Sequence, residues 1–387
     1  MNEHKLPESF SLARIEQISG SGFSAGNRVQ LLWKDKESFS IIFDAIRDAK
    51  KLVCLEFYIF RNDETGTELA EMLKQKAAEG VRVCLLYDHF GSLVTPSAFW
   101  AGLRKAGVEV CASRPFKWAS PLHYVHRDHT KLIIVDGRLA FTGGLNIANE
   151  YRGYHRLKKV SGWRDTGIFL EGPIATGLLA RFNTSWKIWR GRDILPESMQ
   201  PQNKGGVPVL PIFTRSARSR RSMRKLLYYS INNAGESIYM TTAYFTPSRR
   251  MVQVLGEAVS RGVDVRLLLP GRSDISSAHY AGRAFFSKLL GAGVRIFTYG
   301  GVILHAKTAV FDRYWSVIGS ANLDFQSLRR NDEGNVGICD RDFGDLMASV
   351  FYQDLEKSEE VTPAKWRSRP FSEKLKEHFF ALFRRRL

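Results

Sequence analysis

Acidic residues are in short supply in this chain. Its 387 residues hold 39 Asp+Glu against 57 Lys+Arg, a formal charge of +18. Such an imbalance predicts attraction to a polyanion, either a nucleic acid or an anionic membrane surface. Long apolar runs are also missing. No stretch reaches the roughly 18 apolar residues of a membrane-spanning helix, and the N-terminal MNEHKLPESFSLARIEQ lacks the apolar core of a signal peptide. Cysteine is scarce. Cys54, Cys84, Cys111 and Cys339 lie far apart, form no C-x-x-C pair, and three fall in strand-like apolar runs. That spacing argues against zinc or redox chemistry and reads as reduced core thiols in a cytosolic setting. The remainder, 44% hydrophobic and 25% charged, is ordinary for a folded chain with one large core or two smaller ones.

Against this background one unusual spacing occurs twice: His129-Thr-Lys131 with Asp136, and His305-Ala-Lys307 with Asp312. Gly143 and Gly319 each lie 14 residues after their His, and Asn146 and Asn322 each lie 17 after. One His-x-Lys is weak evidence, but two copies with the same offsets imply an internal duplication built around a site. The flanking text repeats as well. A helical pattern around 67–80 leads into VRVCLLYD (81–88), and one around 251–262 leads into VDVRLLLP (263–270). AGVEVCA (106–112) then matches AGVRIFT (292–298). Each helix ends at a glycine and each following run is largely apolar, as expected for a sheet covered on both faces. The expectation is an α/β fold of two duplicated halves, residues 27–195 and 208–358. A linker at 196–207 separates them, with an N-terminal segment at 1–26 and a tail at 359–387. Because each half carries an incomplete set, the two sets are expected to meet face to face across a pseudo-two-fold axis.

The residue types suit a phosphodiester. In a strand, positions i and i+2 share a face, so His129 and Lys131 are expected to point together into a cleft, as are His305 and Lys307. One His attacks phosphorus and the other moves the proton of the leaving and entering alcohols. Lys131, Lys307, Asn146 and Asn322 hold the non-bridging oxygens, and four such groups can replace a divalent metal, so neither metal nor cofactor is expected. Ser320 adds a hydroxyl donor where the first copy has Gly144. Asp136 and Asp312, which complete the catalytic motif, sit where turns are expected and read as hydrogen-bonding supports. Each His needs a carboxylate on its other nitrogen. The candidates are Asp165, 36 residues after His129, and Glu333, 28 after His305.

The doubled HxKxxxxD with a following G-[GS]-x-N resembles the phospholipase D superfamily over residues 27 to 356. Five stretches are similar more specifically to bacterial cardiolipin synthases, particularly short forms without transmembrane helices: 29–60, FTGGLNIANEY (141–151), WRDTGIFLEGP (163–173), TAYFTPSRRM (242–251) and IGSANLDFQSLRRNDEGNV (318–336). The resemblance implies His129 as nucleophile and His305 as acid–base. It implies carboxylates at 165 and 333, with crosswise pairing between halves one arrangement. It also implies Glu56, Tyr58 and Tyr244 as pocket residues. By the same resemblance the chain is a phosphatidyltransferase, peripheral on the cytoplasmic face of the inner membrane. Phosphatidylglycerol is donor and acceptor, and water is kept from the intermediate. The other readings are a hydrolytic phospholipase D and a nuclease of the same superfamily. Two features favour an anionic phospholipid membrane over nucleic acid. FSEKLKEHFFALFRRRL (371–387) places Phe371, Leu375, Phe379, Leu382 and Phe383 on one helical face and ends in Arg384–Arg386. RPFKWASPLHYVH (114–126) sets aromatic and basic residues just before the first motif, although such a loop also stacks bases. The basic run RSARSRRSMRKLL (215–227) suits either polyanion or a solvated helix face. Oligomeric state is not legible.

Overall fold

The computed structural model describes residues 10–116, 126–153, 162–190, 193–194 and 202–383. Most of the 114–126 loop and Arg384–Arg386 lie outside these described residues. In the first half β1 (Ser24–Leu32), β2 (Leu52–Phe57), β3 (Arg82–Asp88), β4 (Glu109–Ser113), β5 (Lys131–Val135), β6 (Leu139–Gly143) and β7 (Gly167–Glu171) run side by side as β1-β7-β6-β5-β2-β3-β4. The second half comprises β8 (Val207–Thr214), β9 (Ser237–Thr241), β10 (Asp264–Pro270), β11 (Arg295–Tyr299), β12 (Thr308–Phe311), β13 (Trp315–Gly319) and β14 (Glu333–Cys339). Their order is β8-β14-β13-β12-β9-β10-β11, with β15 (Ser358–Glu360) on the far edge. Position for position the two orders agree, so the duplication seen in the motifs extends through the sheet.

Why these segments form strands follows from their faces. Val53, Leu55, Val83 and Leu85 point to one side, into a cluster with Phe39, Phe43, Leu69 and Leu73 of the helices Asp35–Arg47 and Glu64–Ala78. Leu52, Cys54 and Leu86 point to the other, against Leu178, Phe182 and Trp186 of the helix Pro173–Arg190. With apolar neighbours on both faces, β2 is buried along its whole length and β3 is apolar from Val83 to Tyr87. Asp63 and Ser248 cap equivalent helices by accepting from the backbone N–H of Gly66 and Met251. β4 and β11 begin three residues later than the apolar runs suggest, because Gly107 and Gly293 close the preceding helices with φ of +91° and +84°.

The halves join edge to edge through antiparallel β1 and β8, so one hydrogen-bonded order of 15 strands crosses the molecule. This pairing uses the Pro-rich stretch near the expected linker. β8 carries Pro208 and Pro211, which donate no hydrogen bond, and its register to β1 shifts between Ser24 and Asn27. The halves also touch where β13 and β14 lie against β6. The helix Phe371–Leu382 packs on the helix Ser276–Arg283. Its docked side is ionic: buried Glu377 accepts from Arg283 and Arg369. Phe371, Leu375, Phe379, Leu382 and Phe383 face solvent, 43% to 78% exposed. Among the described residues no helix is long and apolar enough to cross a membrane.

Candidate active site

Neither histidine lies within its strand, contrary to expectation. β5 starts at Lys131 and β12 at Thr308, so both histidines stand at the strand entries. Their backbones are held instead by the opposite half. The His129 N–H donates to the Asp332 carbonyl at 2.8 Å, and the His305 N–H to the Arg164 carbonyl at 2.8 Å. Isolated parallel bridges, Asp128 with Asp332 and Arg164 with Leu304, sit at the same places. Each histidine segment is therefore laid beside the segment that delivers the other half's carboxylate.

The side chains complete this exchange. His129 Nδ1 meets Glu333 Oε2 at 3.0 Å, and His305 Nδ1 meets Asp165 Oδ2 at 2.6 Å. A proton on Nδ1 shared with the carboxylate leaves Nε2 of each ring as the nitrogen to attack or to carry a proton, and Lys307 Nζ stands 3.0 Å from His305 Nε2. Gly144 and Ser320, the one departure between the copies, are explained here. A Cβ on Gly144 would fall 2.0 Å from Asp165 Oδ1, so only glycine leaves room for that carboxylate. Ser320 does not face phosphate as expected. It is fully buried, and its hydroxyl donates to Glu333 Oε2 and accepts from the Gly334 N–H. The longer Glu333 is thus steered by a hydroxyl, and the shorter Asp165 by the space a glycine gives.

Asn146 and Asn322 are used alike. Asn146 Oδ1 accepts from the Ile59 N–H at 3.0 Å, and Asn322 Oδ1 from the Tyr244 N–H at 3.3 Å. Asn146 Nδ2 is buried without a hydrogen-bond partner among the described residues, a donor ready for an incoming oxygen. The lysines are more recessed than expected. Both are buried and donate to the carbonyl of their own histidine, Lys131 to His129 at 2.8 Å and Lys307 to His305. Burial pulls Lys131 down to about 7 and Lys307 to about 8, opposed by the two carboxylates. Burial and Lys307 lower His305 to about 4, against the pull of Asp165. His129 is lowered by burial and Lys131, against Glu333. Burial favours a neutral Asp165, but Lys307 and His305 outweigh it and hold its carboxyl below its ordinary range.

Asp136 and Asp312 sit at the far ends of their strands. Asp136 accepts from the N–H groups of Lys50, Lys51 and Leu52 at 2.7–2.9 Å, and Asp312 from those of Gly235, Glu236 and Ser237 at 2.8–2.9 Å. Both have φ near +50°, a turn conformation Asp tolerates. Glu56 is not a pocket residue. It is buried under the half-to-half contact, where its carboxylate takes Arg215 and Ser185, and burial with help from Asp128 pushes its carboxyl well up. Part of the basic run is likewise internal. Arg215 serves Glu56, Arg220 serves Asp332, and Arg224 donates to the Leu328 carbonyl.

Both histidines and both asparagines line one cleft of about 610 Å³. Tyr58 borders it with its ring 4.8 Å from His129, and Tyr244 with its ring 6.2 Å from His305 and its hydroxyl donating to Asp274. Sequence reasoning missed several of the remaining lining residues as site members. Tyr151 and Trp163 pack on His305 at 5.2 and 5.4 Å. Both lie in the stretches of family resemblance, which was the available signal. Asp324 also borders the cleft; burial lifts it to about 7 against the Ser327 N–H it caps.

The family model described as "Cardiolipin synthase, PLD-like domain" matches residues 42–156 and 227–355. The chain belongs to this family. Cardiolipin synthase A of Pseudomonas putida (strain W619) is 36% identical over 344 residues, 88% of this chain and 71% of that protein. Cardiolipin synthase 2 of Bacillus anthracis is 33% identical over 99% of this chain and 75% of its own length. Among solved structures, phosphatidylserine synthase of Haemophilus influenzae superposes with a TM-score of 0.71 at 15% identity, covering 97% of this chain and all of that one. At that identity the likeness speaks for the fold. In this cardiolipin synthase-type fold the cleft is lined by residues of both halves, and the matched residues contain both His-Lys-Asp sets.

Proposed function

We propose that this cardiolipin synthase-like phosphatidyltransferase passes a phosphatidyl group between two phosphatidylglycerol molecules through a phosphohistidine. The observation that carries the reading is the pair of crossed His–carboxylate contacts opening on a single cleft lined by both asparagines. His129 Nε2 attacks phosphorus, the bond from phosphorus to the glycerol oxygen breaks, and His305 gives that oxygen its proton. His305 then takes a proton from a primary hydroxyl of the second lipid. That oxygen attacks phosphorus, the N–P bond breaks, and cardiolipin forms. His129 is assigned the attack by family resemblance. Asn146 and Asn322 hold the non-bridging oxygens, with Lys131 and Lys307 supplying charge from behind. An arriving phosphodiester anion raises the pKa of His305, which makes it a competent acid. Asp165 and Glu333 orient the rings, and Asp136 and Asp312 brace the strands. The same reading puts the protein peripherally on the cytoplasmic face of an inner membrane, held to anionic lipid by its C-terminal tail.

Purified protein with phosphatidylglycerol vesicles is expected to give cardiolipin and glycerol. Phosphatidic acid in their place would make the chain a hydrolase, and oligonucleotide cleavage without lipid turnover would make it a nuclease. Mass spectrometry of products from mixed phosphatidylglycerol and phosphatidylethanolamine vesicles identifies donor and acceptor.

A further inference from the structure

Most of the exposed large apolar side chains among the described residues fall in two groups, and both groups border the cleft. The first is the turn after β3, where Leu93 is 54% and Val94 71% exposed, next to Phe90. The second is the turn after β10, with Ile275, together with the outward face of the helix Phe371–Leu382. β3 and β10 hold equivalent places in the two halves, so the groups occupy matching corners of the duplicated fold. Phe90 and Ile275 are both exposed and both line the catalytic cleft, which puts the groups at its mouth on opposite sides. The C-terminal helix reaches the rim through Ser276–Arg283, whose Ala278 also lines the cleft.

Solvent is a poor partner for such residues, and a soluble helix normally turns its apolar face inward. Here the ionic face is docked, with Glu377 buried between Arg283 and Arg369. Charge says what covers the other face. The chain carries +18. Arg61, paired with Glu150, and the buried Arg127, paired with Asp88, line the cleft; Arg272 and Lys376 are exposed beside the second group, and Arg384–Arg386 follow it in the sequence. Exposed apolar tips on a chain of this charge, with exposed cations beside the second group, fit the interface of an anionic bilayer.

We infer that the mouth of the cleft is itself the membrane-docking face, gripping an anionic bilayer at two points, the Leu93–Val94 turn of one half and the Ile275 turn with the C-terminal helix of the other. The two grips straddle the catalytic histidines, so the cleft opens onto the headgroup plane. A lipid phosphate then reaches His129 and His305 while its acyl chains stay in the bilayer. The inference rests on the lipid-transfer reading above, and turnover of detergent-dispersed phosphatidylglycerol reports on that reading separately.

An environment-sensitive fluorophore attached at Val94→Cys, Leu375→Cys or Leu346→Cys tests the orientation, with labelling of the unsubstituted chain as blank. Leu346 is an exposed apolar residue on the helix Arg341–Leu355, which packs by Gly344 against Arg313 at the strand ends away from the cleft. With phosphatidylglycerol vesicles, the probes at 94 and 375 are expected to blue-shift and to be quenched by bromolipid, and the probe at 346 to stay unchanged. Leu93→Glu with Val94→Glu is expected to weaken vesicle binding about tenfold or more, the loss of one or two inserted aliphatic side chains. Its thermal midpoint and turnover of detergent-dispersed lipid stay near those of the parent. A silent probe at 94 beside a responsive one at 375 would leave only a tail anchor and overturn the inference. So would an equal response at 346, or a blue shift that grows with protein concentration without vesicles, which would mean a second copy covers the face.

Discussion

Single residues in this site act through the opposite copy. Glu333→Gln removes the negative charge that orients and polarises His129, and turnover is expected to fall about 10- to 100-fold while the thermal midpoint changes little. His129→Ala removes the attacking nitrogen and is expected to cost about a thousandfold or more, with no phosphohistidine trapped on acid quench. If His305→Ala abolishes the trapped species and His129→Ala does not, the two roles are reversed. Gly144→Ala is expected to lower turnover through Asp165, because the new methyl occupies the carboxylate's place. The lysines give a pH signature. Lys131 is depressed to about 7 and Lys307 to about 8, so between these values and the unfolded value near 10.5 the unfolded chain binds more protons and stability rises with pH. His305, depressed to about 4, adds a separate rise from about pH 4 to 6.5. Thermal midpoints read from pH 7 to 9 are therefore expected to climb in the parent and to climb less in Lys131→Met. Equal slopes would count against a buried, charge-strained Lys131.

At the scale of elements, each motif aspartate ties the end of its strand to the start of a neighbouring one. Asp136→Ala strands three backbone N–H groups and forces φ near +51° on alanine, a loss of roughly 3 kcal/mol. The thermal midpoint should drop, with activity per folded molecule nearly kept; lost activity at an unchanged midpoint would place Asp136 in the chemistry instead. The helix Phe371–Leu382 carries its own test, since removing residues 371–387 should weaken vesicle association more than turnover of dispersed lipid. Unchanged vesicle association would remove the tail from the anchor. Elements with strong local patterns were legible in the sequence. The helices around 67–80 and 251–262, the apolar β3 and β10, and the apolar stripe of the tail all follow from periodicity and, for the two helices, a closing glycine. β8 was not, because Pro208 and Pro211 hide a strand whose support comes from β14. Ser320 and Glu56 were misread for a related reason. Both are polar and lie beside motif residues, but which way a side chain turns depends on partners far away in sequence, Glu333 and Arg215.

For the molecule as a whole, the sheet order and the half-to-half contacts make independent unfolding of the halves unfavourable. Calorimetry of the intact chain is expected to show one cooperative transition; two resolved transitions would show that the β1–β8 seam and the crossed carboxylates are weaker than their geometry suggests. The duplication itself was plain from the spacing of His, Lys, Asp, Gly and Asn, and so was the need for both copies. The crossing came only as one arrangement implied by the family resemblance, because nothing in a linear repeat says that Asp165 should serve the later histidine. That crossing has a consequence for engineering. Grafting the first copy from one relative and the second from another would mix imidazoles with carboxylates shaped for a different partner, since Asp165 comes with Gly144 and Glu333 with Ser320. Chimeras of this fold are better cut so that residues 144 and 165 travel with 305, and residues 320 and 333 with 129, which no single crossover in the gene can do.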